Sequence, residues 1–468
     1  MKIFFIGICG TATGNVAILM KRLGHTVKGS DTGMYEPMKG ALAAAQIDAC
    51  EGWNPAALDA FAPDLVVVGN AISRMNPELE FVLAEGKYEY TSLPALIGSK
   101  LIGKRKSLVV SGTHGKTTTT TLSAYLLRAN GADAGWLIGG IPANLPEGGS
   151  NLGSPDAPFA IEGDEYDSAF FDKRSKFIHY RPFILAINNI EFDHADIFRD
   201  LTDVKRTFTH VRRIVNPRGA ILENGDDPAV ASLEPTPWAK RITVGLGDNC
   251  DIQIRDFSQS GESSSFKLCC GSVEKSVEWQ MQGLFNARNA AMAAAAVSLA
   301  LGRAPLDIDL SALASFTGVK RRQETIGISD SITVVEDFGH HPTAIRLTIE
   351  SLRQKYPQAR VYACFEPRSN TAKTNILQAD FEKSLSAADK VYLGYVNASK
   401  LKNAEKFDTA AAAARNPEKF AAFASNRELL GRLREDAAAE RAKTVVVFFS
   451  NGSFDNIHKE FAAEISRK

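Results

Sequence analysis

Short, unbroken apolar runs punctuate the chain at residues 3–6, 65–68, 107–110, 159–161, 183–187, 332–335, 361–365 and 444–449. Runs this short, apolar throughout rather than alternating, predict strands buried on both faces, as in parallel sheets. Between them lie stretches with helical character: 15–23, 118–128, the alanine-rich 290–301 and a helix opening at Pro342, where proline suits the first turn. Gly24 predicts the cap of the first helix. The segment 403–440, rich in alanine and charge, predicts solvated helices. Most of the apolar runs stop at glycine, amide, acid or hydroxyl residues, which places polar chemistry at the carboxyl ends of the strands, where open α/β sheets collect ligands.

At 468 residues the chain exceeds what one core supports, so several domains are expected. The pattern divides into 1–104, 105–316 and 317–468. Lys+Arg and Asp+Glu both number 54, so no net field favours nucleic acid or an anionic membrane. The six cysteines, Cys9, Cys50, Cys250, Cys269, Cys270 and Cys364, form no C-x-x-C pair and predict reduced thiols in the cytoplasm. Glycines at 7, 10 and 14 interrupt the N-terminal apolar run, which argues for a cytoplasmic N-terminus over a signal peptide. No run reaches membrane-spanning length. A monomer is expected.

The chemistry concentrates in Gly112-Thr113-His114-Gly115-Lys116-Thr117-Thr118, set between a strand and a helix. Glycine lets the backbone approach an anion, the helix N-terminus favours negative charge, Lys116 suits terminal phosphates and the Thr117 hydroxyl suits Mg2+. Val110 stands where the common phosphate loop has its first glycine, so this is a variant of that loop. A nucleoside triphosphate, ATP, is the expected ligand.

Four acids packed into Glu162-Gly163-Asp164-Glu165-Tyr166-Asp167 repel one another unless a cation compensates, and Mg2+ beside a triphosphate fits. His194, next to Asp193, reads equally as a metal ligand or a structural histidine. Asn286 and Asn289 lie about one helical turn apart, placed either to meet an adenine edge or to cap and brace the helix. Gly7, Gly10 and Gly14 precede a helix, and Ser30-Asp31 ends the next strand, as in nucleotide-binding folds. Read alone, that turn also fits a nicotinamide oxidoreductase, and the phosphate loop alone fits a non-catalytic nucleotide-binding regulator.

In order along the chain, the loop 112–117, the acids 162–167, the segments 188–194, 286–289 and Lys320-Arg321-Arg322-Gln323, and the corner Glu336-Asp337-Phe338-Gly339-His340-His341-Pro342-Thr343 resemble the motifs of the Mur ligase family. The resemblance implies three α/β domains: a Rossmann-like N-terminal domain for a UDP-sugar, a central P-loop ATPase-type domain, and a Rossmann-like C-terminal domain for the incoming amine. The stretches 166–180 and 366–371 depart from the branch that adds free L-alanine to UDP-N-acetylmuramate. They resemble the branch that attaches the recycled tripeptide L-alanyl-γ-D-glutamyl-meso-diaminopimelate. The alanine-adding reaction is the main rival.

The resemblance further implies an acyl phosphate formed from the lactoyl carboxylate and ATP, then attacked by the peptide amine. Lys116, Glu165 and His194 would serve catalysis. Gly112 through Thr118 would hold the phosphates, Thr117 and Glu165 would bind one Mg2+, and His194 a second. Asn289, with Asn286, would read adenine. Arg322 and Asp337 would reach back from the third domain to phosphate and ribose. Gly10, Thr11, Ser30, Asp31 and Asn70 would line the UDP-sugar site, and His340, His341, Arg368, Ser369 and Asn370 the peptide side. Lys205 does not fall where some family members carry a carbamylated lysine.

Overall fold

The computed structural model describes residues 1–397 and 405–467. Three large sheets follow one another along the chain, with a small two-stranded antiparallel one, Asp167–Ala169 and Asp172–Ser175, besides. The first has five parallel strands, ordered Asp48–Glu51, Thr26–Asp31, Lys2–Ile6, Leu65–Val68 and Tyr90–Ser92. Ile6 stands level with both Ser30 and Val68, so the turns after these three strands open on one edge. The helix Thr11–Arg22 begins four residues earlier than the pattern predicted, because Gly14 is accommodated inside it against Met38.

The central sheet has ten strands. Ser107–Ser111 lies in its middle, parallel to Ile184–Ile187 on one side and Phe159–Gly163 on the other. Ser111 is level with both Ile187 and Gly163. That register sets the phosphate loop, the acid cluster and the 188–194 segment side by side. The helix Lys116–Ala129 starts two residues before the predicted 118, which puts Lys116 and Thr117 in its first turn. Leu108 and Val110 pack on the face covered by this helix and by Leu284–Ala300, whose alanines allow close approach. Val109 faces the other way, into a core shared with Ile3, Phe5 and Val67 of the first sheet.

Of the central sheet's ten strands only Ser107–Ser111, Phe159–Gly163 and Ile184–Ile187 fall on predicted runs; Gly135–Leu137, Ser150–Asn151, Ala220–Asn224, Lys240–Gly245 and a terminal meander were not anticipated. Ile252–Ser260, Ser263–Cys270 and Val273–Trp279 form an antiparallel meander that extends it. Its signal was alternation, Ile252 and Ile254, Phe266 and Leu268, Val277 and Trp279 facing inward.

The third sheet runs Glu324–Ile328, Ile332–Asp337, Thr444–Phe449, Arg360–Phe365, Lys390–Leu393, Phe420–Ala422. Asp337, Phe449 and Phe365 are level, so the corner 338–343 and the segments 450–453 and 366–371 emerge together. Pro342 opens the helix Pro342–Lys355 in its first turn, as predicted. Within 403–440 the described part, 405–440, holds two helices, Thr409–Arg415 and Asn426–Ala439, separated by the edge strand Phe420–Ala422. Residues 403 and 404 lie outside the described residues. Among the described residues no helix is long and apolar enough to cross a membrane.

Candidate functional site

The ends of the three sheets converge on one cleft of about 1710 Å3. That exceeds the usual range of a small-molecule pocket, roughly 300–1,000 Å3. Gly10, Thr11, Asp31 and Asn70 line it from the first sheet, the phosphate loop and Asp193 from the second, and Arg322, Asp337, His340 and His341 from the third.

Gly112 and Gly115 take positive φ, +131° and +79°. A Cβ on Gly115 would fall 2.6 Å from the Asn289 side-chain oxygen, and one on Gly112 3.0 Å from the Asn189 backbone. Asn189 fixes this loop: its side-chain oxygen accepts from the His114 N–H at 2.7 Å, and its carbonyl accepts from the Thr113 N–H at 3.2 Å. Those two donors are therefore engaged. The donors left to an anion are those of the first helical turn, which lack intrahelical acceptors by construction. Asn189 was quoted from the sequence without a role; its contribution is visible only once the strands are in register.

The Lys116 ammonium donates to the Gly112 carbonyl at 2.6 Å and to Glu165 at 3.1 Å. Burial alone would lower its pKa, but Glu165 and Asp164 outweigh burial and raise it, so the charge is kept. Glu165 in turn lies 3.5 Å from His194. The expected pairing of Thr117 with Glu165 is corrected here. The Thr117 hydroxyl donates instead to Glu162 at 2.9 Å, and Glu162 also accepts from the Gly139 N–H at 2.5 Å. Glu162 sits at the end of its strand, level with Val110 and three residues before Glu165, and faces the helix start directly. Burial, then Asp164, push its carboxyl up. Asp164 itself is held by Lys176 at 3.2 Å.

Asn286 and Asn289 do come together. Asn289 donates to the Asn286 oxygen at 3.2 Å and accepts from Thr119 at 3.1 Å, and Asn286 donates to the Gln282 carbonyl at 2.7 Å. They thus brace the two central helices while still lining the cleft. Arg322 crosses from the third sheet to within 3.3 Å of the Thr117 hydroxyl, its guanidinium over the Phe338 ring. Asp337 accepts from the N–H groups of Gln323 and Gly339 at 2.9 and 2.7 Å. His340 lies 3.7 Å from Asp193.

Four expected substrate residues do not line the cleft. Ser30 is fully buried and donates to the buried Glu78, which also accepts from the Asn54 N–H; its position at the strand end is right, but its side chain points into the protein. Arg368 lies against Gly452, 3.5 Å from Glu366, and Ser369 accepts from the Ala372 N–H at 3.0 Å; neither lines the cleft. Asn370 donates to Asp196 at 2.8 Å and Thr371 accepts from the Ala195 N–H at 3.1 Å, so this segment docks the third sheet onto the central one beside His194.

Comparison with known proteins agrees with this layout. The sequence matches the Mur ligase family catalytic domain over residues 2–98, the Mur ligase middle domain over 110–297 and the Mur ligase glutamate ligase domain over 321–452. It is 41% identical over 396 residues to the UDP-N-acetylmuramate--L-alanyl-gamma-D-glutamyl-meso-2,6-diaminoheptandioate ligase of Escherichia coli, covering 84% of each chain. It is 32% identical over 400 residues to the UDP-N-acetylmuramate--L-alanine ligase of Lactobacillus acidophilus, covering 85% of each. The crystal structure of a murein peptide ligase from Psychrobacter arcticus superposes with a TM-score of 0.73 at 35% identity, covering 100% of this chain and 99% of that one. With three glycine- and acid-bearing sheet edges facing one cleft, and these matches spanning all three, the chain belongs to the Mur ligase family.

Proposed function

We propose that this chain is an ATP-dependent ligase that joins the tripeptide L-alanyl-γ-D-glutamyl-meso-diaminopimelate to UDP-N-acetylmuramate. The observation that carries the reading is the meeting of Lys116, the acid cluster and Arg322 at one point of a cleft that extends to Gly10, Asp31 and Asn70. The higher identity to the tripeptide ligase than to the alanine ligase, 41% against 32%, supports the choice of acceptor.

A carboxylate does not acylate an amine, because oxide is a poor leaving group. The lactoyl oxygen of the sugar acid takes the γ-phosphoryl group and ADP leaves. The peptide's amine nitrogen then attacks the acyl carbon, and inorganic phosphate departs with the bonding pair of the C–O bond. The nitrogen gives up its proton to solvent or phosphate; an α-amine with pKa near 8 is partly neutral at neutral pH, so no strong base is required. The first step brings two anions together, so positive charge fixed in advance is what the protein contributes. Lys116 and the first helical turn hold the terminal phosphates, and Arg322 approaches from the opposite wall.

The Thr117 hydroxyl and the carboxylates of Glu162, Asp164 and Glu165 form a set of hard oxygen donors, and Glu162, its carboxyl pushed up by burial and then by Asp164, would gain from a cation beside it. This set fits Mg2+, with Glu165 and His194 on its far side. Mg2+ there would neutralise phosphate charge. Asn286 and Asn289 sit where adenine would lie, and Asp337 where a ribose would. Asp31 and Asn70 would face the sugar nucleotide, and His340 the peptide side. The three sheets correspond to sugar-nucleotide, ATP and acceptor domains, with boundaries near residues 104 and 316. A monomer acting in the cytoplasm suffices for all of this.

Mass spectrometry of the reaction tests the proposal. ATP, Mg2+, UDP-N-acetylmuramate and tripeptide together should yield one product whose mass is the sum of the two substrates less water, with one phosphate released per product. Product formed without ATP, or ATP hydrolysed without product, would contradict it.

A further inference from the structure

A second group of ligating side chains lies beside the acid cluster. His114 of the phosphate loop, Glu191 of the central sheet and His341 of the third sheet bring one ligand atom each to within 4.8 Å of one another. His114 Nε2 is 3.1 Å from Glu191 Oε2, and His341 Nδ1 is 3.2 Å from the same oxygen.

The hydrogen bonds fix the His341 tautomer. Its Nε2 lies 3.2 Å from the Phe192 carbonyl, which can only accept, so Nε2 carries the proton. Its Nδ1 therefore carries the ring's single in-plane lone pair, which the Thr343 N–H meets only at a long 3.4 Å. That lone pair faces a carboxylate oxygen. Two electron-pair donors face each other with no hydrogen between them, which is the arrangement a metal cation resolves. The Phe192 contact is also the kind of outer partner that fixes ligating imidazoles. Donors about 3.2 Å apart match the edge of a tetrahedron around Zn2+, whose bonds to nitrogen and oxygen run about 2.0–2.2 Å.

We propose that His114, Glu191 and His341 form a site for a divalent transition-metal ion of the Zn2+ class, with a fourth position open to solvent. Two imidazoles and one carboxylate favour such an ion over Mg2+, which prefers oxygen donors. The ligands come from the phosphate loop and from the N-terminal end of Pro342–Lys355, so the ion ties the third sheet to the central one. The site goes beyond the ligase reading and stands whether or not the acceptor is the tripeptide.

The test uses the full chain, stripped with a chelator and without nucleotide, titrated with Co2+ alone as the spectroscopic probe. One equivalent should bind with intense visible ligand-field bands of a four-coordinate site, and Zn2+ should displace it. His114→Ala and His341→Ala should each weaken Co2+ binding about tenfold or more, with circular dichroism confirming that both variants fold. His210→Ala, at an exposed histidine outside the cleft, should leave it unchanged. Absence of the bands, binding that survives both substitutions, or a thiolate charge-transfer band that places the ion on cysteine would each overturn the proposal.

Discussion

Lys116 holds its charge in a buried pocket only because Glu165 and Asp164 surround it. Lys116→Ala removes the cation that faces the terminal phosphates and leaves the buried Glu165 without its ammonium partner. Loss of one fixed electrostatic donor costs about 10²–10³ in rate, and here repulsion between the remaining acids and the phosphates adds to it. Phosphate release should fall by at least that factor, and a variant within a few-fold of the parent would remove Lys116 from the mechanism. Asn286 poses a finer question, since its amide already bonds Gln282 and Asn289. If it also reads adenine, Asn286→Ala should raise the KM for ATP far more than that for inosine triphosphate. If it only braces the helix, both should rise together while thermal stability drops. At this scale the sequence brought most of its candidates to the cleft but did not reveal where each side chain points. Ser30 and Thr117 were placed correctly in the chain, yet Ser30 turns inward to Glu78 and Thr117 meets Glu162, because side-chain partners across strands depend on register, which spacing along one strand does not reveal.

Among the elements, the strands legible from the sequence were those buried on both faces, such as Ser107–Ser111 and Thr444–Phe449, whose apolar runs need no neighbour to be recognised. The meander after residue 251 escaped because half of each strand faces solvent and the apolar run is broken. The helix Ile457–Ile465 carries a different feature, the buried His458, which lies 3.4 Å from Glu336. Burial lowers its pKa more than Glu336 raises it, so the imidazole stays neutral in the fold. Its ordinary value is 6.5. Below that pH the open helix binds a proton that the folded one does not, and by linkage stability falls as pH drops. Hydrogen exchange should therefore show the protection of this helix decreasing from pH 7 to about 5, beyond the intrinsic pH effect, and flat above pH 7. His458→Leu should abolish the decrease; an unchanged decrease would assign it to other groups.

Over the whole molecule, three sheets point their functional edges at one cleft, and no sheet holds the chemistry alone. Arg322 reaches Thr117 from the third sheet, and Asn370 and Thr371 pin that sheet beside His194. The three-domain plan was readable because motif order along the chain is one-dimensional. The docking of 366–371 onto 195–196 was not, since it joins residues 174 to 176 positions apart. That docking brings 366–371, the stretch that resembles the tripeptide branch, up to His194, and acceptor identity is therefore what the account stands on. The direct measurement is ATP-dependent phosphate release with UDP-N-acetylmuramate fixed and the acceptor varied, tripeptide against free L-alanine at equal concentration. The account predicts faster release with the tripeptide. Faster release with L-alanine would contradict it.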